Sequence, residues 1–298
     1  MRTLPFILLF LSLNTFYLRG QNNDTLSGID LKVISQVNHG SSYITFPTDI
    51  GNIDKLWFEG DLIPNFYIRT NNKGRFMAVF TPEIIIRMYR EKSSPVRTPS
   101  YKPQINFYYM IAGYEDTQNI NLFGRIAHHS NGQDGNFLEP NGKINLITGD
   151  FSTNFFEIGI IKTNINRRFN AYQFFKTSIE IHPKGWDNYQ LDNIYSKYRW
   201  HSAASIFKLP HNFNGEKNNN ADISIKAELT YMFGNVNNWN LLSQNRINLS
   251  LIFYYHPKFL EDVGLFIQYY SGLDFYNIYF NHKLNILRFG IMTEKLRF

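Results

Sequence analysis

Apolar and polar residues alternate with a period of two along most of this 298-residue chain, and that period is typical of β-strands with one apolar face. Ile105, Phe107, Tyr109 and Ile111, for example, share one face of residues 104–113. About twelve strands are predicted in this way, near residues 42–48, 57–70, 75–90, 104–113, 118–131, 155–161, 168–183, 194–208, 222–233, 243–256, 261–274 and 284–298.

Most of these strands are close to the ~9–11 residues that a tilted strand needs to cross a membrane. Their connections are rich in Asn and Gly, as in residues 132–135, 212–220 and 234–238, and no long amphipathic helix interrupts them. A soluble β-sandwich or lipocalin-like barrel has the same period, because alternation does not tell which face is inside. Strand length, aromatic content and the N-terminus together favour an all-β fold, a transmembrane antiparallel β-barrel of about twelve strands.

The composition narrows the class of protein further. Aromatic residues make up 17% of the chain, and these residues favour strands and membrane interfaces. With 43% hydrophobic and 18% charged residues the chain is not of the disordered class, and a mean hydropathy of −0.31 excludes a polytopic helical membrane protein. The absence of cysteine excludes disulfides, thiolate catalysis and cysteine-ligated metals. Dinucleotide, phosphate-loop, zinc-protease and nucleophile-elbow motifs are also absent.

The N-terminus has the pattern of a secretory signal peptide. A basic start is followed by an apolar run over residues 4–13, which is too short to span a bilayer, and then by polar residues 21–24. We therefore predict a signal peptide at 1–20, a periplasmic segment at 21–41 and an outer-membrane barrel at 42–298; a short membrane anchor is the alternative. Cleavage removes two arginines and no acid, which lowers the net charge from +6 to +4. No Lys/Arg block occurs, so nucleic acid is not an expected partner.

A polar cluster, HHSNG at residues 128–132, ends one predicted strand. Leu122, Gly124, Ile126, His128 and Ser130 share a face, so a His and a Ser end an otherwise apolar surface. Polar groups at a lipid-facing boundary are costly, and their default interpretation is functional. Residues two apart on a strand have Cα atoms roughly 6.6 Å apart, which allows imidazole and hydroxyl to hydrogen-bond. Such a serine can be a nucleophile activated by the histidine.

A base in such a pair needs a third group that holds its tautomer. Asn154 begins the next predicted strand and shares its face with Phe156, Ile158 and Ile160, so it is a polar residue at the matching end of an apolar face. We predict that it orients His128. The alternative is that the polar residues are only rim residues beside a loop.

Several segments together resemble the outer membrane phospholipase A family. The HxSNG pattern of residues 128–132 is similar to the active-site motif of that family. Residues 93–97 and 101–104 resemble the segment before its fourth strand. The last two strands of the family are similar to residues 268–272, 279–281 and 289–292. The terminal Phe298 is similar to the outer-membrane assembly signature.

The resemblance implies a twelve-stranded barrel in the cell outer membrane that hydrolyses acyl ester bonds of membrane phospholipids. The catalytic site would lie on the outer face of the barrel. Ser130 would be the nucleophile, His128 the general base and Asn154 the third triad member, because the SxN pattern at 152–154 matches the family. The backbone N–H of Gly132 would help to bind the oxyanion.

The resemblance also implies a calcium ion that bridges two subunits, so the active form would be a homodimer. Ser93 and Gln133 match the positions whose backbone carbonyls bind calcium in the family. Asp150 falls where the family has a hydroxyl ligand, and a carboxylate suits Ca²⁺ at least as well. Asp150 could also be an ordinary loop acid.

The chain departs from the family pattern in two places. The interval between His128 and Asn154 is longer, with the extra residues in 135–149, so Asn141 or Asn145 is an alternative partner for His128. The middle residue of the HxS pattern is His129, which is predicted to point away from the triad; a role as a second base is the alternative.

Two other functions remain open at this point. A lipid A deacylase is another membrane barrel with this pattern, and it would use an acid such as Glu157 to orient the histidine. The other is a non-catalytic outer-membrane barrel, either a pore or a structural protein. A pore needs a wide polar lumen, which about twelve strands do not leave.

Overall fold

The computed structural model describes residues 29–47, 49–69, 74–114, 118–209, 221–260 and 262–293. The predicted signal peptide and Phe298 lie outside these residues. Within them the chain forms one short α-helix and fourteen strand segments: α1 (Leu31–His39), β1 (Tyr43–Thr45), β2 (Ile50–Gly51), β3 (Leu56–Leu62), β4 (Phe66–Ile68), β5 (Phe76–Tyr89), β6 (Ser100–Tyr114), β7 (Gln118–Ser130), β8 (Ser152–Asn166), β9 (Ala171–Ile181), β10 (Tyr198–Lys208), β11 (Ile223–Phe233), β12 (Ile247–Tyr255), β13 (Val263–Leu273) and β14 (Lys283–Thr293). Three short 3₁₀ helices lie in the described connections, at Tyr189–Leu191, Gln244–Arg246 and Asn277–Tyr279.

The strand segments form a single closed antiparallel sheet. Each strand from β5 to β14 pairs with its neighbours in sequence, and β1 closes the barrel by pairing with both β3 and β14. Segments β1 and β2 both pair with β14, and β3 and β4 both pair with β5, so each of these two pairs is one interrupted barrel strand. The barrel therefore has twelve strands, and the predicted fold class is confirmed.

The polarity of the barrel is that of a membrane protein. Large apolar side chains such as Ile105, Ile158 and Leu251 are exposed on the outer face. The lumen instead holds charged groups, and the Arg87 guanidinium there donates to Glu59 at 2.6 Å. A soluble barrel has the opposite arrangement, so the lipocalin-like alternative is wrong.

Helix α1 closes one end of the lumen. Asp30 caps the helix by accepting from the Val33 N–H at 2.9 Å, and the apolar helix face packs on residues of β5, β6 and β7. The Asn119 side chain at the start of β7 donates to the Ile29 carbonyl at 2.7 Å. The β8–β9 connection at this end spans only residues 167–170. Residues 29–41 of the predicted periplasmic segment thus lie inside the barrel; the domain division as a whole stays a prediction.

Long loops close the opposite end. An apolar cluster there joins the loops after β7, β9 and β13, and it includes Phe137, Phe151, Leu191, Tyr195 and Phe280. Between the two ends the lumen retains a cavity of about 500 Å³, whose lining includes the charged side chains of Lys102, Arg125 and Glu180. A pore needs a wide continuous lumen, whereas packed apolar residues occupy both ends here, so the fold does not favour the pore hypothesis.

Among the described residues, no helix is long and apolar enough to span a bilayer.

Candidate active site on the outer face of the barrel

Two of the predicted site residues meet across the β7–β8 pair. His128 lies directly opposite Asn154, and Ser130 lies opposite Ser152. The His128 Nδ1 and Asn154 Oδ1 atoms are 2.9 Å apart. His128 and Ser130 lie two and four residues after the exposed Ile126 on β7, so they point to the same side as Ile126. Their partners on β8 point the same way, and all four side chains face outward at the end of the barrel that carries the long loops.

The extra residues between His128 and Asn154 do not shift this register. Residues 135–149 fold as a separate loop whose neck is the Gly135–Gly149 bridge. Within it Asn141 donates to Glu139 at 2.9 Å, and Asn145 donates to the Asn136 carbonyl at 3.1 Å. Neither side chain is hydrogen-bonded to His128 in the described structure, so the geometry favours Asn154 as its partner.

The orientation of the Asn154 amide follows from a second contact. Asn154 Nδ2 lies 2.6 Å from the backbone carbonyl of Trp186. A carbonyl can only accept, so the amide nitrogen must face Trp186 and the amide oxygen must face His128. His128 therefore donates from Nδ1, and Nε2 of the neutral ring is left as an acceptor.

Ser130 shares the outward face with His128 but is not hydrogen-bonded to it in this structure. Both side chains are partly exposed, and they lie at the end of β7, where the strand leads into the 131–151 loop. Hydrogen bonds between a nucleophile and its base are often long in the absence of substrate. Rotation of the serine hydroxyl about its χ1 bond is the adjustment such a contact requires.

Asn131 holds the turn that follows Ser130. Its buried side chain accepts from the Phe151 N–H at 3.0 Å and the Gln133 N–H at 3.2 Å, and it donates to the Gly149 carbonyl at 2.8 Å. Gly132, at the centre of the turn, has a φ of 65°, which favours glycine. Its backbone N–H donates to no described residue, so it is available to a ligand. Asn131 lies within the predicted HHSNG cluster but has no predicted role there; the Asn-Gly pair, which is typical of turns, is the signal that could have revealed it.

His129 and Glu157 belong to the lumen. His129 is buried, and its Nε2 lies 2.5 Å from Ser100 Oγ. Glu157 forms ion pairs with Arg125 at 3.0 Å and Lys176 at 2.8 Å. The barrel wall separates both side chains from the outward triad, so neither the second-base role of His129 nor the orienting acid of a lipid A deacylase has support in the geometry.

The candidate calcium residues lie on two loops at the same end of the barrel. Ser93, with a φ of 69°, is exposed on the loop after β5, whereas Gln133 and Asp150 lie near the two ends of the loop after β7. Asp150 Oδ2 accepts from Asn188 Nδ2 at 2.7 Å. Two carbonyls and a carboxylate are hard oxygen donors of the kind that Ca²⁺ takes. No group of three or more His, Cys, Asp or Glu side chains in the described part of the chain could hold a metal ion.

Solved structures share this architecture over nearly the whole chain. Outer membrane phospholipase A from Escherichia coli matches with a TM-score of 0.58 and 15% identity, covering 91% of this chain and 99% of that one. The fold is that of outer membrane phospholipase A. The Salmonella typhi outer membrane phospholipase dimer with bound calcium matches with a TM-score of 0.57 and 16% identity, covering 93% of this chain and 94% of that one. An active-site mutant of the Escherichia coli protein has a TM-score of 0.56 at 17% identity, with 93% and 94% coverage.

These likenesses confirm the predicted resemblance at the level of the fold and, with the apolar outer surface, the predicted outer-membrane β-barrel. No protein-family model and no curated protein sequence matches the chain. The roles of the individual site residues stay predictions.

Proposed function

We propose that this protein is a calcium-dependent outer-membrane phospholipase that hydrolyses acyl ester bonds with Ser130, His128 and Asn154. The observation that carries the proposal is the His128–Asn154 contact of 2.9 Å beside Ser130, on the lipid-facing side of a barrel with the phospholipase fold. Three polar residues at the end of an apolar outer surface are costly without a function.

The location of the site suits a substrate that arrives from the bilayer. The apolar side chains below His128 on the outer face, such as Ile126 and Phe156, would contact acyl chains, whereas the triad lies toward the loops and the aqueous side. Ester groups of phospholipids lie at this boundary between hydrocarbon and headgroups. A substrate can therefore reach Ser130 by lateral diffusion without leaving the membrane.

The reaction follows from the hydrogen-bonding roles. His128 Nε2 accepts the proton of the Ser130 hydroxyl as its oxygen attacks the ester carbonyl, and the Gly132 N–H donates to the oxyanion. The imidazolium then protonates the departing lysophospholipid oxygen, and the acyl group remains on Ser130. Water, deprotonated by His128, attacks this acyl-enzyme. The bond between the acyl carbon and the Ser130 oxygen then breaks, the imidazolium returns the proton to that oxygen, and the fatty acid is released. Asn154 keeps the imidazole in the required tautomer throughout.

Calcium would be held by the backbone carbonyls of Ser93 and Gln133 and by the Asp150 carboxylate. Its chemistry, when bound, is electrostatic stabilisation of the negative charge that develops on the ester oxygen. Because Ser93 lies on a different loop from Gln133 and Asp150, a homodimer that brings these loops together would complete the site. Such an enzyme is silent as a monomer, which protects the membrane in which it resides.

Calcium and dimerisation are then thermodynamically linked, so each should strengthen the other. We expect calcium to raise the dimer fraction in detergent, and chelation to lower the dimer fraction and the activity together. Asp150→Ala should weaken the calcium dependence of both, by about tenfold for one lost ligand. Sedimentation and hydrolysis are measured across a calcium titration. Full activity of a demonstrably monomeric protein in excess chelator contradicts the calcium and dimer parts of the proposal.

Asn154→Ala is expected to lower kcat by about tenfold to a hundredfold without abolishing hydrolysis, because His128 keeps its position but loses the acceptor that selects its tautomer. Asn141→Ala and Asn145→Ala are the controls, since both remove an Asn from the adjacent loop. A larger loss of kcat in either control variant would identify that asparagine as the third triad member.

The function itself is tested with purified protein on two substrates, phospholipid in mixed micelles and lipopolysaccharide, each with calcium and with chelator. We expect hydrolysis of phospholipid only, in calcium only. Release of acyl chains from lipopolysaccharide alone would instead identify a deacylase, and release from neither would remove the enzymatic proposal.

A further inference from the structure

The loop between β9 and β10 supplies a neighbour for the part of β8 that carries the triad. The last β8–β9 pair is Phe156 with Ile181, so Ser152 to Asn154 extend beyond the end of β9. Residues 186–188, here called the 186–188 segment, take its place. The Asn154 N–H donates to the Trp186 carbonyl at 3.1 Å, and the Asn188 N–H donates to the Ser152 carbonyl at 3.0 Å.

The Trp186 carbonyl also contacts a side chain, which the pairing of the two backbones does not require. It accepts a second hydrogen bond, from Asn154 Nδ2 at 2.6 Å, while Asn154 Oδ1 is 2.9 Å from His128 Nδ1. The side chain of Asn154 thus bridges a fixed backbone acceptor and the imidazole. Only a group that donates on one side and accepts on the other fits between them, and an amide is such a group.

Three side-chain contacts hold the 186–188 segment in place. The Trp186 ring packs on Phe156 with ring centroids 5.2 Å apart. The Asp187 carboxylate, 2% exposed, pairs with Lys197 at 2.6 Å. Asn188 Nδ2 donates to Asp150 at 2.7 Å. The segment is therefore an anchored part of the site, and its carbonyl can impose an orientation on Asn154.

We propose that Trp186, through its backbone carbonyl, is a positioning residue that selects the amide orientation of Asn154 and, through it, the Nδ1–H tautomer of His128. The inference rests on the proposed function for its catalytic consequence, but the hydrogen-bonding relay concerns the free protein. It explains why an amide rather than a carboxylate stands here: a carboxylate oxygen facing the Trp186 carbonyl at this distance would be repelled.

The decisive variant is Asn154→Asp. A carboxylate is the stronger acceptor for an imidazole N–H, so if only the contact with His128 matters, this variant should equal or exceed the wild type. If Trp186 positions the side chain, kcat should fall at least about tenfold at alkaline pH with little change in KM. Asn164→Asp is the matched control, because Asn164 is also on β8 and also donates through Nδ2, to Gln173 at 2.9 Å, but lies far from the triad. Activity of Asn154→Asp at or above that of the control overturns the proposal.

A second measurement does not depend on turnover. The ¹⁵N shifts of His128 report its tautomer, and we expect Nδ1 to be protonated in the wild type and a mixture of tautomers in Trp186→Ala, in which the ring no longer packs on Phe156. Trp186→Phe should restore the single tautomer, which separates positioning from a general loss of structure. An unchanged tautomer in Trp186→Ala would refute the positioning role. If the wild type hydrolyses no phospholipid, the proposed function fails, while the tautomer measurement still decides this inference.

Discussion

Ser130→Ala is expected to abolish ester hydrolysis, lowering kcat by more than about a thousandfold, while leaving a folded barrel. Without the hydroxyl no acyl-enzyme can form, and His128 and the oxyanion donor alone supply only a small part of the rate. The change removes one oxygen from a partly exposed side chain that makes no hydrogen bond with His128, so stability should be within about 0.5 kcal/mol of the wild type. Hydrolysis is followed by fatty-acid release, and folding by heat-modifiable migration on gels.

Ser152→Ala is the matched control for this variant. Ser152 lies directly opposite Ser130 on β8 and shares its outward face, so its loss perturbs the same surface. We expect Ser152→Ala to keep most of the activity. Turnover retained in Ser130→Ala, or lost equally in the control, would remove Ser130 as the nucleophile.

His128→Ala should be as damaging as Ser130→Ala, and the double variant should be no worse than either, because residues that act as one unit are not additive. His129→Ala is the internal comparison. Its side chain faces the lumen and contacts Ser100, so its loss should cost stability, on the order of 1–2 kcal/mol for a broken buried hydrogen bond, with most of kcat retained.

The two variants change adjacent residues, yet we expect His128→Ala to lose activity and His129→Ala to lose stability. Activity and thermal stability are measured for both variants in the same detergent. The reverse order, with His129 essential and His128 dispensable, would place the active chemistry in the lumen and contradict the outward triad.

Local alternation along strands was sufficient to predict which side chains share a face. Leu122 and Ile126 are exposed on the outer surface, and His128 and Ser130 have the same parity, as the pattern of β7 indicates. This works because the side-chain direction of a strand residue depends only on its position along that strand. The number of barrel strands followed for the same reason, although two of the strands are interrupted.

Alternation predicted Asn154 as the partner of His128, but it could not exclude two other asparagines. Asn141, Asn145 and Asn154 were all open, because an insertion of unknown shape lies between the two strands. Pairing of β7 with β8 brings Asn154 opposite His128, and the looped-out residues 135–149 use their own amides internally. Strand register is a property of two chain segments at once, so one strand's sequence does not determine it.

Residue types at fixed short spacing were therefore enough to predict the class of the fold, the side chains that share a face of each strand and the polar cluster at the end of β7. Only the folded chain shows that α1 closes the lumen, that Asn154 rather than Asn141 or Asn145 contacts His128, and that Asn154 also contacts the Trp186 carbonyl. The last of these could not be found from residue types, because every residue has a backbone carbonyl and only the path of the β9–β10 loop brings this one to the triad.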